Sequence, residues 1–182
     1  MLRCVRSCFN FLVHLTYSTE EKKYEEAVVK GVGMIECVSC KICEKIWPPD
    51  DHFIGDLGLT KAYLFEDQFF AGWTVLVLRR HRTELYQLTR EERMTLIEEV
   101  SRVGEAMTKI FDVTKINTEL LGNQVPHMHW HVIPRLSADP DPLKPVWCVA
   151  HEPVHLPATL LTQRILQFRS ALGILSPPPG IS

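Results

Sequence analysis

The residues with the most chemistry in them lie between positions 123 and 135. His127, His129 and His131, three of the chain's eight histidines, stand there at alternate positions, interleaved with Met128, Trp130 and Val132. Alternation is the side-chain period of a β-strand, so one face presents imidazoles and the other presents apolar groups. At a rise of about 3.3 Å per residue, successive rings on one face stand roughly 6–7 Å apart, a spacing that admits a phosphate group. Burying several imidazoles without partners costs free energy, which weighs against a purely structural cluster. Neutral imidazole is a good nucleophile near pH 7, and its adduct with phosphorus is a reactive phosphoramidate that water splits. The pattern suits the division of one slow phosphoryl hydrolysis into two faster displacements.

A second capable group precedes it. Three of the six cysteines, Cys37, Cys40 and Cys43, crowd into seven residues as two overlapping Cys-x-x-Cys spacings. Such a pair supplies half of a tetrahedral zinc site and needs two further ligands from elsewhere in the chain. The crowding reads as metal binding rather than a disulfide framework, and a reducing cytoplasm is its simplest setting. Thiols packed as small hydrophobes are the alternative.

His-x-His-x-His followed by Val132, Ile133, Pro134 and Arg135 resembles the signature of the histidine triad (HIT) family of nucleotide hydrolases and transferases. The likeness spans roughly residues 37–137. It implies an α+β fold, with an antiparallel sheet of about five strands carrying two main helices, and a homodimer paired through the long helix and a sheet edge. It implies that His129 attacks the α-phosphorus of a nucleotide, that His131 donates to the non-bridging oxygens, and that His127 is a metal ligand or a support. Superfamily members with an N-terminal Cys-x-x-Cys, and the related galactose-1-phosphate uridylyltransferases, complete a zinc site with a histidine after the second core strand and the first triad histidine. Those positions here are His81 and His127, whose distance along the chain suits Cys40 and Cys43 better than Cys37 and Cys40. His52 competes for the third place. The resemblance also implies a ribose contact from Asp67 and phosphate contacts from Asn117, Asn123 and Gln124. Read without it, Asp67 is a turn aspartate and the amides are turn-forming or cross-strand groups.

The implied activity is hydrolysis of a nucleoside 5′-phosphoryl bond in a dinucleoside polyphosphate, a phosphoramidate or an adenylylated metabolite, through a nucleotidyl-histidine intermediate. A nucleotidylyltransferase or phosphorylase is the runner-up, and a zinc-stapled nucleotide-binding protein without turnover is the non-enzymatic reading. No Gly-x-x-x-x-Gly-Lys loop occurs, which excludes a Walker-type ATPase. A catalytic zinc on three histidines is conceivable, but alternate strand positions favour two ligands per metal, and the cysteines would be left without a role.

The surrounding chain supplies elements to hold these groups. Residues 61–65 and 73–78 read as strands joined by a hairpin loop at 66–72. Thr89 and Glu92 form a capping box that opens a helix to about Phe111, with Met94, Ile97, Val100, Met107 and Ile110 as its core stripe. Residues 116–121 read as a strand leading into the triad. Prolines stiffen residues 139–147, which are placed to fold over the pocket mouth or onto a second subunit. Residues 157–172 form a last helix, with Leu161, Ile165, Phe168 and Leu172 on one side and Gly173 at its end. The expected organisation is an extension at 1–33, a HIT-like domain at 34–156, the C-terminal helix at 157–175 and a disordered proline-rich tail at 176–182. Met34 stands just before the first family-like residues, and a start there would make the upstream part an extension or a gene-model error. A net charge of −2 gives no broad footprint for duplex nucleic acid. The apolar stretch at residues 73–78 is too short to span a membrane.

Overall fold

Strands β1 (Phe53–Asp56), β2 (Thr60–Leu64), β3 (Thr74–Leu78), β4 (Val113–Glu119) and β5 (His129–Leu136) form one antiparallel sheet in the order β1-β2-β3-β5-β4. The computed structural model describes residues 40–175. The expectations for the extension, the tail and Cys37 lie outside the described residues. Helices α1 (Arg90–Ile110) and α2 (Ala158–Leu172) cover one face of the sheet. Ala62, Leu64, Leu76 and Val132 of that face pack against Val100, Val103 and Met107 of α1 and Leu161, Ile165 and Phe168 of α2. Strand alternation then sends Tyr63, Val75, Val77, His129 and His131 to the opposite face.

Register fixes the two histidines. Val75 pairs with His131 and Val77 with His129, so both rings rise from the centre of the sheet beside β-branched neighbours. Pro134 cannot donate to a ladder. It falls where β3 has already ended, opposite Ile116 of β4. The helix start follows the capping box: the Thr89 hydroxyl accepts from Glu92 N at 3.2 Å, and Thr89 N donates to the Glu92 carboxylate at 2.8 Å. Gly173 ends α2 at φ 72°.

Two local expectations need correction. Met94 and Ile97 are exposed, and the buried side of α1 runs through Leu96, Val100, Val103 and Met107. At 3.6 residues per turn Met94 lies about 160° round the axis from Leu96, and Glu99, a residue no apolar count would select, shares the buried side. Its carboxylate accepts from Leu59 N (2.8 Å), Thr60 N (2.9 Å) and Thr60 Oγ1 (2.6 Å), tying α1 to the β1–β2 turn. The fourth strand begins earlier than residue 116 and leaves Leu120 and Leu121 in a loop. The fifth strand of the sheet, β1, had no clear period in its four residues.

Candidate functional site

β5 starts at His129, so His127 precedes the strand and its ring serves a different neighbourhood from the other two. The rings of His129 and His131 lie 5.1 Å apart, edge to face at 77°, closer than the strand repeat because they lean together. His129 Nδ1–H donates to the carbonyl of His127 at 2.7 Å. Its Nε2 therefore carries the lone pair. His131 Nδ1 accepts the indole N–H of Trp73 at 3.0 Å. Burial pushes both rings below the ordinary histidine range despite the carbonyl that His129 faces. For His131 burial, with His129 as a second cause, brings the pKa down to about 3. Both rings are neutral at physiological pH.

They open into a cavity of about 570 Å³ lined also by Lys41, Ile46, Trp47, Phe65, Glu66, residues 121–125 and Trp147, a size that suits a nucleotide-scale ligand. Trp47 stands edge-on to His129 at 5.1 Å, and Phe65 and Trp147 stand edge-on to His131 at 5.6 and 5.3 Å. Trp147 arrives on the proline-stiffened segment, which packs back on its own chain through Val146 against Phe70, Trp73 and Ile133. A wider groove of about 740 Å³ between α1 and α2 contains none of the triad residues.

The candidate ligand-binding residues divide. Asn123 and Gln124 line the cavity. Asn117 does not: its side-chain oxygen accepts from Arg135 Nη1 at 3.0 Å. Asp67 is also turned elsewhere, accepting from Phe69 N (2.9 Å), Val154 N (2.9 Å) and His151 Nε2 (2.8 Å). Against the burial that would raise it, the Val154 and Phe69 amides and His151 hold this carboxyl below its usual range. The acid that reaches the cavity is the preceding residue, Glu66, whose carboxylate accepts the Trp47 indole N–H at 3.0 Å. Glu66, Trp47, Phe65, Trp73 and Trp147 were not among the sequence candidates. The tryptophans were visible only as bulky residues beside prolines or at a strand start.

Four further ligand atoms converge behind the triad. Nδ1 of His127 and Nδ1 of His81 are 3.3 Å apart. Cys40 Sγ lies 3.7 and 3.8 Å from them, and Cys43 Sγ lies 3.5 and 3.6 Å away. A tetrahedral ion bound at about 2.3 Å from sulfur and about 2.0–2.1 Å from nitrogen has edges of roughly 3.3–3.4 Å between nitrogens and roughly 3.5–3.6 Å between nitrogen and sulfur. The cluster can hold a metal ion. The donors also face the right way: His127 Nε2–H donates to Leu78 O at 2.7 Å, which leaves Nδ1 unprotonated toward the thiols. His52 is not part of the group; its Nδ1–H meets the Leu64 carbonyl at 3.1 Å.

The fold recurs in known proteins. The HIT domain profile matches residues 49–138. A histidine triad protein from Bradyrhizobium japonicum is 31% identical, with a TM-score of 0.61 over 75% of this chain and 97% of its own. The chain belongs to the HIT family. Among relatives of this HIT protein, the asymmetrical bis(5′-nucleosyl)-tetraphosphatase of Schizosaccharomyces pombe is 29% identical over 86 residues, 44% of this chain and 47% of that one. A zinc-bound HIT family protein from Mycobacterium smegmatis, 20% identical with a TM-score of 0.54 over 79% of this chain and 97% of its own, shares the fold. Among the described residues no helix is long and apolar enough to cross a membrane.

Proposed function

We propose that this HIT protein is a nucleotidyl hydrolase that cleaves at the α-phosphorus of a nucleoside 5′-phosphoryl compound. One observation carries the reading: the His127 carbonyl holds the Nδ1–H of His129, so a neutral ring offers Nε2 as a nucleophile at a nucleotide-sized cavity. In the first displacement the Nε2 lone pair forms a bond to phosphorus, and the bond from phosphorus to the bridging oxygen or nitrogen breaks. The leaving group departs with that electron pair and takes a proton from solvent. Water then attacks phosphorus, the P–N bond returns its pair to Nε2, and a nucleoside monophosphate leaves, with one water consumed overall. His131 donates through Nε2–H to the non-bridging oxygens as charge builds on them. Trp47, Phe65 and Trp147 offer aromatic surface to the nucleoside. Glu66 replaces Asp67 as the carboxylate within reach of a sugar hydroxyl, and Asn123 and Gln124 face the phosphate chain. The tetraphosphatase relative favours dinucleoside polyphosphates among the substrate classes.

Zinc is the ion we assign to Cys40, Cys43, His81 and His127, as two thiolates and two imidazoles suit it and a relative of the same fold binds zinc. With no ligand position left open, its role is a tie between the 40–43 segment and the approach to β5. Intact thiols at this tie suit a reducing compartment such as the cytoplasm. We also assign a homodimer, supported by the outer edge of β4 and by the exposed Met94 and Ile97 on α1. The test is a nucleotide panel turned over by wild type and by His129→Ala. Wild type should release nucleoside monophosphate and form an acid-labile nucleotidyl adduct on His129, and the variant should lose at least about 10³-fold in rate. Equal rates would end the mechanism, and tight binding with no turnover would favour the binding-protein reading.

A further inference from the structure

We propose that Trp73 is a positioning residue for the triad: its buried indole N–H sets the tautomer and the orientation of His131, so that the Nε2–H of that ring faces the substrate. The assignment rests on the hydrolase reading above for its functional consequence, and on geometry alone for its structural half.

An indole nitrogen can only donate. At 3.0 Å from Trp73 Nε1, His131 Nδ1 must accept, and the single proton of the neutral ring must sit on Nε2. Among the described residues Nε2 of His131 has no protein partner, and the ring lines the cavity. Protonation would place Nδ1–H against another N–H, so the same contact that selects the tautomer opposes the cation. The ring is thereby kept as a neutral donor, able to bind phosphate oxygens without serving as an acid.

Trp73 is itself held on every side. It is 2% exposed. Its carbonyl accepts from Phe65 N and from Gln68 Nε2, each at 2.9 Å, and its N–H donates to Phe70 O at 3.1 Å. Gln68 completes the hairpin by accepting from Gly72 N at 2.9 Å and donating to Phe65 O at 2.8 Å. Phe65 and Trp147 lie against the indole at 4.5 and 5.1 Å between centroids and also against His131. A ring so packed cannot swing away, and leaving its N–H without an acceptor in this setting would cost free energy. The hairpin from 65 to 73 is thus the brace of the third histidine, as the His127 carbonyl is the brace of the second.

The experiment is nitrogen-15 NMR of histidine- and tryptophan-labelled full chain, beside kinetics on the best substrate of the panel. Wild type should show His131 protonated on Nε2 only, from pH 5 to pH 8, with a scalar coupling across the hydrogen bond from Trp73 Nε1 to His131 Nδ1. In Trp73→Phe the coupling should vanish and the Nδ1 resonance should move toward that of a free imidazole. Turnover should fall about tenfold, less than the 10²–10³ typical of losing a transition-state donor outright, with KM changed less than about twofold. A 3-benzothienylalanine at position 73 keeps the bulk and removes only the N–H, so it must reproduce these changes even if the phenylalanine variant folds poorly. A wild-type ring protonated on Nδ1, or one that titrates within that range, overturns the assignment. So does an isostere with full turnover. The stated spectrum in a protein that turns over no nucleotide would instead sink the hydrolase reading.

Discussion

Replacing Arg135 with methionine should both destabilise the domain and loosen one wall of the cavity. Arg135 is 2% exposed. Its Nε–H donates to Asp139 at 2.9 Å, with side chains only 3% and 9% exposed, and Nη1 donates to Asn117 Oδ1 at 3.0 Å and to Lys144 O at 2.8 Å. The guanidinium also lies 5.2 Å over the Phe70 ring. Methionine fills much of the volume but strands a buried carboxylate, and breaking a buried pair from one side costs about 3–5 kcal/mol. At roughly 3–4 °C per kcal/mol for a domain of this size, Tm should drop by about 10–20 °C. The segment Arg135 tethers carries Trp147 to the cavity, so KM should rise with little change in kcat at temperatures where the variant is folded.

The double variant Arg135→Met, Asp139→Leu separates the causes. With the stranded charge gone, stability should return to within about 2 kcal/mol of wild type, the remainder reflecting the unanswered Asn117 and Lys144 oxygens. Thermal unfolding of the three proteins by circular dichroism, with KM measured on each, decides it. A single variant that loses less than about 3 °C would refute the buried-pair argument. A double variant no better than the single would show that the carboxylate was not the source of the penalty.

Gly72 has φ 92°, and a Cβ there would overlap the Phe111 ring; Gly72→Ala should cost about 2–4 kcal/mol from backbone strain and overpacking together, read as a lowered denaturant midpoint. The Asp67–His151 pair predicts a pH-dependent Tm. Opposing burial, the Val149 carbonyl and Asp67 hold His151 above its usual range, so its share is full below about pH 6.5 and is lost as pH rises through the folded value. Asp67 is held low, so its share is present above about pH 4 and is lost as pH falls through its folded value. The Tm gap between wild type and His151→Gln should peak between those limits, and a gap that is flat from pH 3 to pH 9 would refute the pair. Chelation should remove one zinc per chain and lower Tm, by an amount that corresponds to about 4 kcal/mol if zinc stands at a thousandfold over its dissociation constant; elemental analysis showing no bound metal in protein purified without chelator would refute the zinc assignment.

What the sequence made legible followed from period and from pair chemistry. Alternating His and apolar residues fixed which face of β5 carries imidazoles, because a strand has no other way to place them. Thr89 and Glu92 located the start of α1, since a capping box acts within a single turn. Contacts set by tertiary choice were less legible. Asp67 and Glu66 are adjacent, and which one reaches the cavity depends on His151 and Val154, more than eighty residues away, claiming the former. Asn117 is likewise claimed by Arg135. The stripe on α1 misread Met94 and Ile97 because hydrophobicity alone does not say which side of a helix meets the sheet, and a buried Glu99 with three donors counted against the true side.

The triad is three histidines in spelling and two sites in space, and His127 is where they join. Its ring spends Nε2–H on the Leu78 carbonyl and turns Nδ1 to Cys40, Cys43 and His81, while its own carbonyl holds Nδ1–H of His129. His127 stands before β5, which begins at His129, so its ring is not bound to the strand's register. The candidate metal cluster and the proposed nucleophile therefore share one residue. Looseness at Cys40 or Cys43 can reach His129 through the His127 carbonyl that fixes its tautomer, and reaches the cavity wall directly through Lys41 and Trp47. His131 is insulated from the carbonyl route, because its Nδ1 answers to Trp73 and the 65–73 hairpin. On the proposed mechanism, damage at the cysteines should weaken attack at phosphorus more than it disturbs the phosphate-facing donor, and loss of the Trp73 indole N–H should do the reverse.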